Sequence, residues 1–127
     1  MIFHYGQLLG KTYQGGLYDC YGLVRAFYRG QYGIVLPNYA RPLTFDHAGL
    51  DLVGRFKSQP DYTTIPTQRL EFKFGDVLIF QVASPLPNHF GVYIGNDQFI
   101  HHMYDRASDI QHLDERWWRR LIEVKRH

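Results

Sequence analysis

The chain has 127 residues, 45% of them hydrophobic, 17% aromatic and 20% charged; this composition excludes a disordered segment and fits one domain over 1–127 that folds without disulfide support. A net charge of +2 with the histidines neutral gives no reason to expect nucleic acid as a partner, and a single cysteine cannot close an internal disulfide. No stretch reaches membrane-spanning length, and the opening MIFHYGQLLGKTYQGG has no apolar run of a secretory leader, so neither membrane insertion nor self-directed export is expected.

Residues 1–10 suit a short helix closed by Gly10, and KTYQGG reads as a loop. The first strong helix spans Asp19 to about Arg29. Asp19 suits the N-cap or first turn, Cys20, Leu23, Val24 and Phe27 recur at helical spacing, and Gly30 and Gly33 supply the stop. VLPNYARPL is extended or turn-rich because of Pro37 and Pro42. Thr44 to about Lys57 predicts a second helix with Phe45, Ala48, Leu52 and Phe56 on one face.

Beyond Pro60 the pattern turns to strands. FGDVLIFQV, residues 74–82, predicts a strand buried on both faces, and SPLPN is a loop of breakers. HFGVYIG and QFIHHMY predict a hairpin across Asn96-Asp97, and RLIEVKR a late strand. The terminal DERWWRRLIEVKRH reads as a final strand with solvated charges, or as a docking surface through Trp117 or Trp118. Helices followed by antiparallel strands make an α+β order, not a βαβ one.

The candidate chemistry centres on YDCYGLV, which holds the one cysteine, Cys20. In the first turn of a helix, unpaired N–H groups and the positive dipole end favour a thiolate, and a nearby imidazole would favour it further. Gly22 costs about 1 kcal/mol against alanine inside a helix, which makes sense where another segment or a substrate must come close. The alternative is that Cys20 is simply a small buried hydrophobe.

Of seven histidines, His4 and His127 lie near the ends and His47 and His112 in solvated segments. His89 opens a strand, and His101 follows on the returning strand. Side chains alternate along a strand, so a plain two-residue turn would put the two rings on opposite faces. A three-residue loop, a type I turn followed by a left-handed residue, with Asn96 or Asp97 at positive φ, would bring them together. We therefore expect a bulged turn, with His89 as base and His101 as its orienter. His102 would then point to the other face as a surface or core-edge residue. Cys20, His89 and His101 could in principle ligate zinc, but their spacing matches no compact metal motif; no metal and no cofactor is expected.

YDCYGLVRAFYRGQYGIVLP, FGDVLIF and NHFGVYIGNDQFIHH, in that order and spacing, resemble the NlpC-type cysteine peptidases. The tyrosine after the cysteine, the FYRGQYGIVLPNY continuation, the HH doublet and Ser108 followed by Trp118 are similar to the phage-tail branch of that family. The resemblance implies a papain-like core with N-terminal helices packed on an antiparallel sheet. It makes Cys20 the nucleophile, His89 the general base and acid, and His101 the third member. It sets Tyr13 near the thiol in an oxyanion-stabilising role and Tyr21 on the substrate side of the cleft. The implied activity is hydrolysis of a peptidoglycan stem-peptide amide, typically between γ-D-glutamate and a diamino acid. The implied setting is a virion tail tip, made in the host cytoplasm and acting at the cell wall beside other tail-tip proteins. The alternative is a structural or assembly protein of the tail tip whose site is dispensable or latent; a third reading is an acyltransferase or amidase on the same core.

Overall fold

Buried polar backbone groups need partners, and in this chain helices and an antiparallel sheet supply them. The structure is a computed structural model describing residues 2–39, 41 and 51–127. A 3-10 helix (Tyr5–Leu8) and helix α1 (Cys20–Tyr32) come first, then α2 (Asp51–Lys57) and β1 (Thr63–Ile65). A 3-10 turn (Arg69–Glu71) leads to β2 (Val77–Phe80), β3 (His89–Gly95), β4 (Gln98–His101), β5 (Asp109–His112), α3 (Glu115–Arg120) and β6 (Leu121–Arg126). The six strands form one sheet in the order β1-β6-β2-β3-β4-β5, with every neighbouring pair antiparallel. The fold is α+β, with helices packed on an antiparallel sheet, as the sequence implied. Among the described residues no helix is long and apolar enough to cross a membrane.

The continuous apolar run of β2 is explained by its place in the sheet. Val77 and Ile79 join Phe90, Val92 and Ile100 on the face that packs against Tyr21, Val24 and Phe27 of α1. Leu78 and Phe80 face the other way, onto Phe99, Trp117 and Val124. With cover on both sides, alternation has no polar face to display.

Asp19 caps α1 as expected: its Oδ1 accepts from the Gly22 N–H at 2.7 Å and its Oδ2 from the Gly16 N–H at 2.7 Å. The Arg41 Nε also donates to Oδ2, at 2.7 Å, so the loop before α1 is pinned at the N-cap. Gly22 is small because a Cβ there would overlap the Leu17 carbonyl oxygen. The close neighbour that the sequence called for is this chain's own backbone. The helix runs longer than predicted, through Gly30, and stops at Gly33, which takes the left-handed C-cap conformation at φ 68°.

Other elements depart from expectation. Short strands β1 and β5 and helix α3 were not predicted; each is three to six residues long and carries too little periodicity to detect. The predicted second helix is present as α2, with Leu52, Val53 and Phe56 buried. Its first half, including Phe45 and Ala48, lies outside the described residues, as does Pro42. Trp117 is 4% exposed in the core of the second sheet face, so it is not available for docking. Trp118 is half-buried, beneath the Arg69 guanidinium at 4.5 Å.

Candidate active site

The hairpin of β3 and β4 decides whether the two histidines can meet. Gly95 pairs with Gln98 across Asn96-Asp97, whose φ angles are 52° and 61°. The register then shifts between Tyr93 and Gly95, and Gly91 pairs with His101. The expected one-residue shift is therefore present. It arises from a bulge in the outgoing strand beside a two-residue loop, not from a three-residue loop. Both rings come to one face, with His89 Nε2 and His101 Nδ1 2.9 Å apart.

Both strand ends are anchored. Asn88 bonds Val82 twice at 2.8 Å, its Oδ1 accepting from the Val82 N–H and its Nδ2 donating to the Val82 carbonyl, and its own N–H donates to the Phe80 carbonyl at 2.9 Å. That clasp closes the SPLPN loop so that His89 starts the strand at a cavity of about 230 Å³. Cys20, Tyr13 and His102 line the same cavity as His89. The N–H groups of Phe90, next to His89, and of Tyr21 are near enough to favour the ionised sulfur, so the start of β3 lies against the start of α1. Tyr13 arrives from a loop tied down by Ser108, whose Oγ accepts from the Lys11 N–H at 2.9 Å and whose carbonyl accepts from the Gly10 N–H at 2.9 Å.

The electrostatics differ from expectation at the thiol. Burial pushes Cys20 up to about 12, the adjacent Asp19 carboxylate adds to it, and the Phe90 and Tyr21 N–H groups with Arg41 pull back only in part. Burial of the sulfur, and after it the Asp19 charge, outweighs the pull of the helix start toward a thiolate. His89 is held well below the usual imidazole range, chiefly by burial and then by His101, Arg120 and His102. Burial also lowers His101, to about 4, against the opposing pull of Asp109. Both shifts favour the uncharged form of thiol and imidazole. Alkylation of Cys20 by iodoacetamide is expected to keep accelerating past pH 9; a plateau reached at or below pH 8.5 would contradict the resting thiol.

A family model described as NlpC/P60 matches residues 3–126. The chain belongs to the NlpC/P60 family. The tail tip assembly protein K of Escherichia phage lambda is 28% identical over 120 residues, covering 94% of this chain and 59% of that protein. The murein DD-endopeptidase MepS/murein LD-carboxypeptidase of Escherichia coli (strain K12) is 29% identical over 118 residues, covering 93% and 53%. The chain thus spans about half to three-fifths of these curated relatives. The solved NlpC/p60 domain of the peptidoglycan hydrolase SagA superposes with a TM-score of 0.63 at 18% identity, covering 97% of this chain and 92% of that one. An NlpC/P60 family protein from Bacillus cereus superposes with the same score at 20% identity, covering 96% and 37%. At such identities the structural matches speak for the NlpC/P60 fold.

Within this NlpC/P60 domain, four of the five residues singled out from the sequence come to one place. Cys20, His89 and Tyr13 share the cavity, and His101 backs His89. Tyr13 is pushed up to about 12, by burial first and then by Asp19 and Cys20, so its hydroxyl keeps a proton to donate. Tyr21 is a correction. Its ring is fully buried among Tyr39, Phe56 and Phe90, and its hydroxyl donates to the Pro37 carbonyl at 2.8 Å. Position 21 is on the inward face of α1, so the side chain serves the core and only its N–H borders the site. His102 is a second correction: it is 2% exposed, lines the cavity, and its Nε2 donates to the Arg106 carbonyl at 2.8 Å.

Two residues escaped sequence reasoning. Asp109 pairs with His101 in the β4–β5 register, and its Oδ1 lies 2.9 Å from His101 Nε2. Trp117 stands edge-on to the His101 ring at 5.0 Å between centroids and 6.0 Å from that of His89. The one available signal was the alternation in SDIQH, too short to place a strand.

Proposed function

We propose that the protein is a cysteine peptidase that hydrolyses a peptidoglycan stem-peptide amide, in the setting of a phage tail tip. The observation that carries this reading is the 2.9 Å pairing of His89 with His101 at a cavity that Cys20 also lines. In this reading His89 takes the Cys20 proton as the sulfur attacks the scissile carbonyl, then gives it to the departing amine. The N–H of Cys20 and the Tyr13 hydroxyl steady the oxyanion. Water enters the emptied leaving-group position and His89 activates it to release the acyl chain. The bond best matched to the family resemblance is γ-D-glutamyl–diamino acid.

Digestion of purified peptidoglycan by the wild type and by Cys20→Ala tests this directly. Stem-peptide fragments released by the wild type and lost in the variant, at unchanged folding, are the expected result. The protonated resting thiol also favours a second reading, an assembly protein of the tail tip whose site is latent in the isolated chain. No release by either protein, with tail assembly intact for Cys20→Ala, would select that one and discard the first.

A further inference from the structure

The paired imidazoles end on a carboxylate, and that ending decides which nitrogen faces the chemistry. We infer that Asp109 is a positioning residue that sets the tautomers of both His101 and His89, leaving His89 Nδ1 as the free base. The inference deepens the peptidase reading, but its first test does not depend on activity.

The reasoning follows the protons. A carboxylate has no hydrogen to give, so the 2.9 Å contact between Asp109 Oδ1 and His101 Nε2 requires the hydrogen to sit on that nitrogen. A neutral imidazole carries one N–H, so His101 Nδ1 is bare and can only accept. Its partner at 2.9 Å, His89 Nε2, must then be the donor. That uses the single N–H of His89 and leaves a lone pair on Nδ1. Burial keeps both rings neutral, which is the condition the count needs.

Asp109 is well placed to hold this order. The register sets it directly across from His101, and its Oδ2 accepts from Gln111 Nε2 at 2.8 Å, which fixes the plane of the carboxylate. Asp109 lines a cavity of about 270 Å³ together with Arg106, Arg116 and Arg120. When the Cys20 S–H bond breaks, the new N–H bond forms at His89 Nδ1, and the positive charge left on His89 is stabilised through His101 by the Asp109 carboxylate. No proton need move to Asp109 itself.

Without the carboxylate nothing holds the hydrogen on His101 Nε2. The opposite arrangement, with His101 Nδ1–H donating to His89 Nε2, becomes available. It places the His89 hydrogen on Nδ1, where it blocks proton uptake.

The test is nitrogen-15 NMR of the histidine rings in the intact chain at pH 7.5. Nε2–H tautomers for both His89 and His101 in the wild type, with part of the population moving to Nδ1–H in Asp109→Ala, is the expected pattern. Nδ1–H on either ring in the wild type, or identical spectra in a folded Asp109→Ala, would overturn the assignment. Asp109→Glu keeps a carboxylate, should retain the wild-type pattern, and covers the case of Asp109→Ala failing to fold; an altered pattern in folded Asp109→Glu counts against the proposal. On peptidoglycan, Asp109→Ala should lower kcat by about 10- to 100-fold with KM little changed, and Asp109→Glu should recover part of it. An inactive wild type with the expected tautomers would defeat the peptidase reading and leave the positioning role standing.

Discussion

Trp117→Ala is expected to destabilise the protein by about 3–5 kcal/mol, the range for removing a large buried aromatic, and to lower Tm by roughly 10–20 °C for a domain of this size. The indole is 4% exposed and fills the space among Phe80, Phe99 and His101, with ring centroids 5.0–5.3 Å away. Alanine leaves a void directly behind the histidine pair, and Arg120, stacked on the indole at 4.8 Å, loses its platform. Trp117→Phe should cost far less than the alanine change. Part of the ring is retained, and the indole N–H, which is buried with no hydrogen-bond partner among the described residues, is removed, offsetting some of the lost contact. Thermal unfolding followed by circular dichroism reads both variants. A Tm within 3 °C of the wild type for Trp117→Ala would show that this side chain is not core.

Acid should weaken the fold well before the carboxylates titrate. His89 and His101 bind a proton less readily in the folded state than in the unfolded chain, the latter to about 4 from an ordinary value of 6.5. Between those limits the unfolded state holds more protons, so stability rises with pH. It is fully present above about 6.5 and is lost as pH falls toward 4. His101 alone makes this a loss on the order of 3 kcal/mol at the bottom of the window. Below its folded value both states are protonated and this contribution flattens. Urea unfolding at pH 7.5, 6.0 and 4.5 checks it, with the midpoint falling at each step. The same series on the double variant His89→Gln, His101→Gln should be shallower, keeping the decline that His102, also lowered by burial, contributes; an equally steep decline there would assign the effect to other groups.

The two predictions bear on the same layer of the molecule, and that layer was the least legible from the sequence. Cys20 at a helix start, the doubly buried β2 and the hairpin carrying His89 and His101 could all be read, because spacing, capping and turn chemistry act over a few residues. Even the bulge could be anticipated, since only one register puts both rings together and Asn96-Asp97 tolerate positive φ. Asp109 and Trp117 could not be reached the same way. They approach the histidines through β5 and α3, elements of four and six residues whose place is set by pairing and packing across the sheet.

The thiol shows the same division. Its position follows from local signals, the Asp19 cap and the close approach at Gly22. Its protonation does not, since the desolvation of the sulfur and the nearness of Asp19 outweigh the helix start and depend on how β3 closes against α1. Tyr21, adjacent in sequence, lies on the face of the helix that packs into the core. The amino-acid order alone determined the family, the α+β architecture, the place of Cys20 at a helix start and that of His89 and His101 on one hairpin, because these rest on short-range patterns. Only the tertiary structure decided which groups back the histidines, which tyrosine borders the cavity and how the site is charged at rest, because desolvation and through-space charge depend on neighbours far apart along the chain.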